Sequence, residues 1–194
     1  MKRDALTAAI AIVALTLVLG LAYPLAVTGI GQLAFPGAAD GSLVRVDGRV
    51  VGSRLLGQGF RSARYFHSRP SQTDWNPSAT AFSNAGPNGA GTRAAIAARA
   101  AAYLRIERRH DRSLTRAEIP PDAVQTSASG VDPHVSVANA RIQAHRVAAV
   151  RGLPLARVER LVDRHTDGRG LGLFGEPGVN VLELNVALDR ETAR

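Results

Sequence analysis

Cysteine is absent from the chain's 194 residues. That excludes a disulfide framework and thiol chemistry, and it suits either redox compartment. Lysine is almost absent as well. Lys2 is the only one, so the net charge of +8 and the pI of about 11.2 come from arginine. The arginines run from Arg3 to Arg194, interleaved with acids, and aromatic residues make up only 5% of the chain. With no basic cluster and few aromatics, a nucleic-acid surface does not fit. A third absence is local: no charged side chain occurs from Ala5 to Ala39.

What fills that uncharged stretch is apolar. Leu6 to Leu33 is almost wholly so, and about 20 such residues suffice for a helix to cross a bilayer core of about 30 Å. The run exceeds the ~7–15-residue apolar region of a signal peptide. Its small-residue patch, Gly37-Ala38-Ala39, lies beyond Pro36. The sequence therefore predicts a retained transmembrane helix over residues 5–34. Lys2 and Arg3 precede it, and the next positive residue is Arg45. That bias puts residues 1–4 in the cytoplasm and residues 35–194 outside it, as a single extracytoplasmic α+β domain at the cell (inner) membrane. Pro24 removes a backbone donor and is expected to bend the helix, with Thr16 or Thr28 able to satisfy the freed carbonyl. Ala8, Ala9, Ala11, Ala14, Ala22 and Ala26 would let another helix approach closely. Ala22, Pro24, Ala26 and Thr28 are accordingly candidate partner contacts.

In the remaining chain, Val44 to Val51 alternates around Asp47-Gly48, a type I′ hairpin signal. Residues 65–87 are rich in Ser, Asn, Pro and Gly, and a loop of that length suggests a binding segment. Ile96, Ala100, Tyr103 and Leu104 share one face of a predicted helix over 92–109. Thr126 to Val135 reads as a polar turn. Ser136 is placed to N-cap a helix that runs to about Arg151 and stops at Gly152. Pro154 opens a further helix striped by Leu155, Val158, Leu161 and Val162. Leu182, Leu184, Val186 and Leu188 alternate with polar or small residues, which predicts a half-buried strand with a bulge near Val181-Leu182.

Candidate chemistry is sparse. Gly86 to Arg93 superficially resembles a phosphate loop, but Thr92 and Arg93 stand where Lys and Ser/Thr are required. Asp132, His134 and His145 lack the spacing of a metal site. Ser127 and Ser129 lie near Asp132 and His134, but without the apolar lead-in of a nucleophile elbow. The residues describe a tethered binding domain better than an enzyme. Two alternatives remain open: a membrane-anchored serine hydrolase using Ser127 or Ser129 with His134, and a surface-tethered module binding acidic ligands through arginine.

A longer set of motifs resembles a known family. The set begins with Tyr23-Pro24-Leu25, Gly31-Gln32, Phe35-Pro36 and Gly41-Ser42-Leu43. It continues with Gly52-Ser53, Leu56-Gly57-Gln58, Tyr65-Phe66-His67, Arg69-Pro70-Ser71, Asn76-Pro77, Ser83-Asn84 and Gly86-Pro87. It ends with the run from Thr126 to His134, then Gln143, Arg146-Val147-Ala148, and Glu176-Pro177 to Asp189. In this order the motifs resemble the C subunit of the Kdp-type potassium-transporting ATPase. Thr80-Ala81-Phe82 stand where that family has a Ser-Gly-Gly run, and Ser68 where it has glycine. The resemblance implies a non-catalytic subunit of a potassium import complex. Its partners would be a channel-like potassium-binding subunit and a P-type ATPase subunit, which handle potassium and ATP; this chain would bind neither directly. It implies assembly and a chaperone effect that raises ATP affinity. A domain outside the membrane cannot touch cytoplasmic ATP, so such an effect would pass through partner helices. On this reading Gln58, Phe66 and His67, with Ser127, Ser129, Gly130, Asp132 and His134, join the helix residues as candidate partner contacts.

Overall fold

A computed structural model describes residues 2–79 and 84–192. The segment Thr80-Ala81-Phe82, with Ser83, lies outside them. The chain divides into two compact units, one ending at Leu43 and the next beginning at Val44.

The first unit is dominated by a helix over Lys2–Ala34, 33 residues long and apolar enough to cross a membrane, with none of its hydrophobic window buried. It comprises α1 (Lys2–Leu17), a wide π turn (Val18–Ala22) and α2 (Tyr23–Ala34). The accommodation of Pro24 sits just ahead of it. Tyr23 N donates to Val18 O, five residues back. A π turn at this point re-routes the backbone bonding that proline's missing N–H interrupts. A short helix, α3 (Pro36–Ala39), follows.

A two-stranded sheet of β1 (Leu43–Val46) and β2 (Arg49–Ser53) follows, all of it but Leu43 in the second unit. Asp47 and Gly48 join them at φ of 49° and 77°. That left-handed pair is what a type I′ turn needs, as the sequence predicted. Helix α4 (Ala90–Glu107) starts at Gly89, so Gly86 to Arg93 is a turn leading into a helix N-terminus. Strand β3 (His134–Ser136) is followed directly by α5 (Val137–Arg151). Ser136 caps α5 by accepting from Asn139 N at 3.1 Å, and Gly152 ends it at φ 67°. Helix α6 (Leu155–Arg164) and the short β4 (Thr166–Asp167) come next.

The final stretch corrects the sequence reading. Only β5 (Gly178–Asn180) is strand, and Val181–Thr192 is a helix, α7. Asn180 Oδ1 accepts from Glu183 N at 3.1 Å, which caps the new helix. The residues buried next to the core, Val181, Leu184, Asn185 and Leu188, recur with helical period. The predicted bulge is this strand-to-helix junction. A smaller correction concerns the predicted turn over 126–135, whose end pairs as β3. The antiparallel order is β3-β5-β4, with Val135 opposite Val179 and Thr166 opposite Val179 on the other side. Helices α5, α6 and α7 pack with this sheet around Phe66, Val147, Val158, Leu161, Val179, Leu184 and Leu188.

Candidate functional site

Helix α5 carries apolar residues on its core face and, beside them, Asn139, Gln143 and Arg146, all buried. Spacings of four and three place these three polar side chains on one stripe. They are buried because each has partners. Arg146 Nε donates to both carboxylate oxygens of Glu107, at 3.0 and 3.1 Å, from a side chain only 1% exposed. Its Nη2 reaches Gln143 Oε1 at 2.9 Å. Gln143 Nε2 donates to Asn139 Oδ1 at 3.0 Å, which also accepts from Tyr103 Oη at 2.8 Å. Asn139 Nδ2 continues to Asp122 Oδ2 at 2.8 Å, and Asp122 takes both the amide and the hydroxyl of Ser136. The stripe thus ties α4, the 3₁₀ turn at Pro121–Ala123 and α5 into one network.

The network also grips the segment from Ala63 to His67 as a β-strand neighbour would. Arg146 Nη1 donates to Ala63 O at 2.6 Å and Tyr65 O at 2.9 Å. Asn185, from α7, accepts from Phe66 N at 2.8 Å and donates to Phe66 O at 2.9 Å. Gln143 does the same for His67, at 2.7 and 3.1 Å. Buried backbone groups must be paired, and here side-chain amides supply what a sheet would. The phenyl ring of Phe66 is fully buried as a result.

Burial sets the electrostatics. It raises the Glu107 carboxyl above the usual carboxylate range, although Arg146 pulls the other way. It raises the Tyr103 phenol too, helped by Glu107 and Asp122. It lowers His67 to about 4, with Arg146 adding to the effect. His67 is therefore neutral at pH 7, and its Nε2–H donates to Ser62 O at 3.0 Å.

A second set of contacts locks the loop around Gly57–Thr73 to the turn around Ser127–His134. Gly57 N donates to Val131 O at 2.7 Å, Ser71 Oγ to Gly130 O at 2.7 Å, and Arg69 Nη1 to Asp132 Oδ2 at 2.7 Å. Gly130 has φ 74°, and a Cβ there would lie 2.4 Å from Thr73 Oγ1. Ser127 Oγ accepts from Gly130 N, Ser129 Oγ from Val131 N, and Asp132 Oδ1 from His134 N. Ser68 Oγ donates to Gln58 O at 2.7 Å, inside the same loop. His134 faces Asp167, with Nε2 3.4 Å from Oδ2.

The candidates from sequence therefore fall in three places. Ala22, Pro24, Ala26 and Thr28 lie on the exposed helix. Gln58, Ser127, Ser129, Gly130, Asp132 and His134 belong to the interlocked loops. Phe66 and His67 are held by the polar network, Phe66 as a core residue rather than a surface one. Ser127 and Ser129 both cap backbone amides, and among the described residues neither is hydrogen-bonded to His134. No group of three or more His, Asp or Glu side chains among the described residues is placed to hold a metal ion. Many arginines already have acidic partners within the chain, including Arg61 with Asp74, Arg141 with Asp163, Arg151 with Asp189 and Arg157 with Glu191. Such pairs occupy part of the basic set of 24, and the net +8 already subtracts their acids. Sequence reasoning missed Glu107, Asn139 and Asn185. The spacing of Asn139, Gln143 and Arg146 beside the apolar face of α5 was the available signal.

One N-terminal helix long and apolar enough to cross a membrane, followed in sequence by a small α+β domain whose buried polar groups are used in packing, defines the class: a candidate single-span membrane protein. The family model described as K+-transporting ATPase, c chain, matches residues 5–190, and the chain belongs to that family. It is 46% identical over 192 residues to the potassium-transporting ATPase KdpC subunit of Mycobacterium tuberculosis (strain ATCC 25618 / H37Rv), covering 98% of this chain and 100% of that protein. The protein of the same name from Cereibacter sphaeroides (strain KD131 / KCTC 12085) is 49% identical over 178 residues, 92% of each chain. That from Nitratidesulfovibrio vulgaris is 53% identical over 171 residues, 87% of this chain and 84% of its own. Membership places the chain in potassium transport, as a subunit of an ATPase complex.

Proposed function

We propose that this chain is a non-catalytic accessory subunit of a high-affinity ATP-driven potassium importer. The single observation that carries the reading is the family match, which runs through helix and domain alike from residue 5 to residue 190. The helix spans the cell membrane with its N-terminus in the cytoplasm, and the domain stands outside. There the chain stabilises the assembly of a channel-like potassium-binding subunit with a P-type ATPase subunit. ATP and potassium are handled by those partners. The fully exposed apolar helix supports a membrane role, because in water that surface would be a large unburied liability.

The chain also raises the ATPase subunit's affinity for ATP. With the domain outside, this works as a coupling between partner conformations and not as nucleotide contact. The test is the KM for ATP of potassium-stimulated hydrolysis, measured on the complex with and without this chain. The reading expects KM to rise when the chain is removed. An unchanged KM with full assembly would overturn the chaperone role.

A further inference from the structure

The turn between Gly168 and Pro177 departs most clearly from a solvated surface. Leu171, Leu173 and Phe174 at its tip are 91%, 77% and 67% exposed. The turn is nonetheless held. Gly170 N donates to Phe174 O at 2.7 Å, and Phe174 N returns to Gly170 O at 2.9 Å. At the base, Arg169 Nη2 lies 3.1 and 3.0 Å from the two carboxylate oxygens of Glu176. Leu171 has φ 52°, in the left-handed region that a leucine side chain disfavours. An exposed leucine gains nothing from burial, and a left-handed one is strained. The chain carries both costs at one residue with no return inside its own fold, which is a mark of function.

Charge discriminates between the surfaces that would cover such a tip. Loops that enter a bilayer combine apolar residues with uncompensated Lys or Arg for anionic headgroups. Between Gly168 and Pro177 the charged residues are Arg169 and Glu176, and they neutralise each other. A lipid phase also demands no fixed shape, whereas this tip is preformed. Preformed apolar anchors beside a paired polar rim match the anatomy of a protein hot spot, where preorganisation lowers the cost of binding.

We infer that residues 170–174 are an apolar plug that seats in an apolar, polar-rimmed pocket on another protein subunit of the transport complex. The inference rests on the accessory-subunit reading above and names the contact. The first test places a photo-crosslinker in the plug by Phe174→p-benzoylphenylalanine, in the full chain co-expressed with its partner subunits. Irradiation in native membranes should give a covalent adduct with a partner subunit. An adduct with lipid, an adduct with a second copy of this chain, or no adduct would overturn the plug. The second test combines Leu171→Ser, Leu173→Ser and Phe174→Ser in a tagged full chain. Recovery of partner subunits in mild detergent should fall about tenfold or more, with the chain's thermal unfolding unchanged. Undiminished recovery would overturn the plug and leave the accessory-subunit reading standing. Failure of the unsubstituted chain to recover any partner would overturn both.

Discussion

The side-chain amide of Asn185 holds Phe66 by both backbone groups, accepting from its N–H at 2.8 Å and donating to its C=O at 2.9 Å. The two residues are 119 positions apart, so this pair fastens α7 to the segment that enters the core. Asn185→Ala leaves two buried backbone groups without partners, each costing about 1–3 kcal/mol. The expected loss is roughly 2–4 kcal/mol of unfolding free energy, read by denaturant titration of the full chain in detergent. A change within experimental scatter would show that water replaces the amide and that the clasp adds little.

His67 gives the domain an acid-sensitive component. Its folded value of about 4 lies below the 6.5 of a free imidazole, so between those pH values the unfolded chain binds more protons. Its contribution is complete above pH 6.5 and is lost as the pH falls toward 4, by up to about 3 kcal/mol. Glu107, raised by burial, contributes a slope of the opposite sign and is common to wild type and variant. Stability measured from pH 7.5 to 4 should therefore fall more steeply in the wild type than in His67→Gln. Parallel curves would contradict the burial of a neutral imidazole.

Ser129 and His134 are structural in this account. Ser129 Oγ caps Val131 N, and His134 lies beside Asp167. Ser129→Ala with His134→Ala should lower domain stability or transport affinity modestly. Ester or peptide turnover by the chain, lost by orders of magnitude in the double variant, would instead identify a nucleophile and base.

The helix should act as more than a tether. Ala22 and Ala26 allow close approach, and such membrane contacts are worth about 1 kcal/mol each or less. Ala22→Leu with Ala26→Leu should leave the helix inserted and the domain folded but reduce co-purification of the partner subunits. Potassium-limited growth should weaken in parallel. Wild-type recovery of the complex would place the association in the domain alone.

Local signals made much of the fold legible. Asp47-Gly48 fixed the hairpin, Ser136 the start of α5, and Gly152 its end, because each acts through its own backbone neighbours. The α7 helix was not legible, since Leu182, Leu184, Val186 and Leu188 fit a period of two as well as they fit a helix. What separates the two is the burial of Asn185, and that depends on Phe66 far along the chain. The same holds for the polar network. Arg146 reads as one basic residue among many until Glu107, 39 positions earlier, is found against it. The interlocked loops were partly legible, as a Ser/Gly/Pro-rich turn and a long polar loop, but their mutual register is a tertiary fact. The exposure of the apolar turn at 170–174 was not legible either, because nothing local to Leu171, Leu173 and Phe174 says whether the fold covers them.

The central claim is that a membrane helix holds this domain outside the cytoplasm as part of the transporter. The most direct test is a reporter that works only in the cytoplasm, fused after Arg194 and expressed with the partner subunits. The account predicts a silent reporter alongside intact potassium-limited growth. A fully active reporter would contradict the topology, and with it the argument that any effect on ATP passes through partner helices.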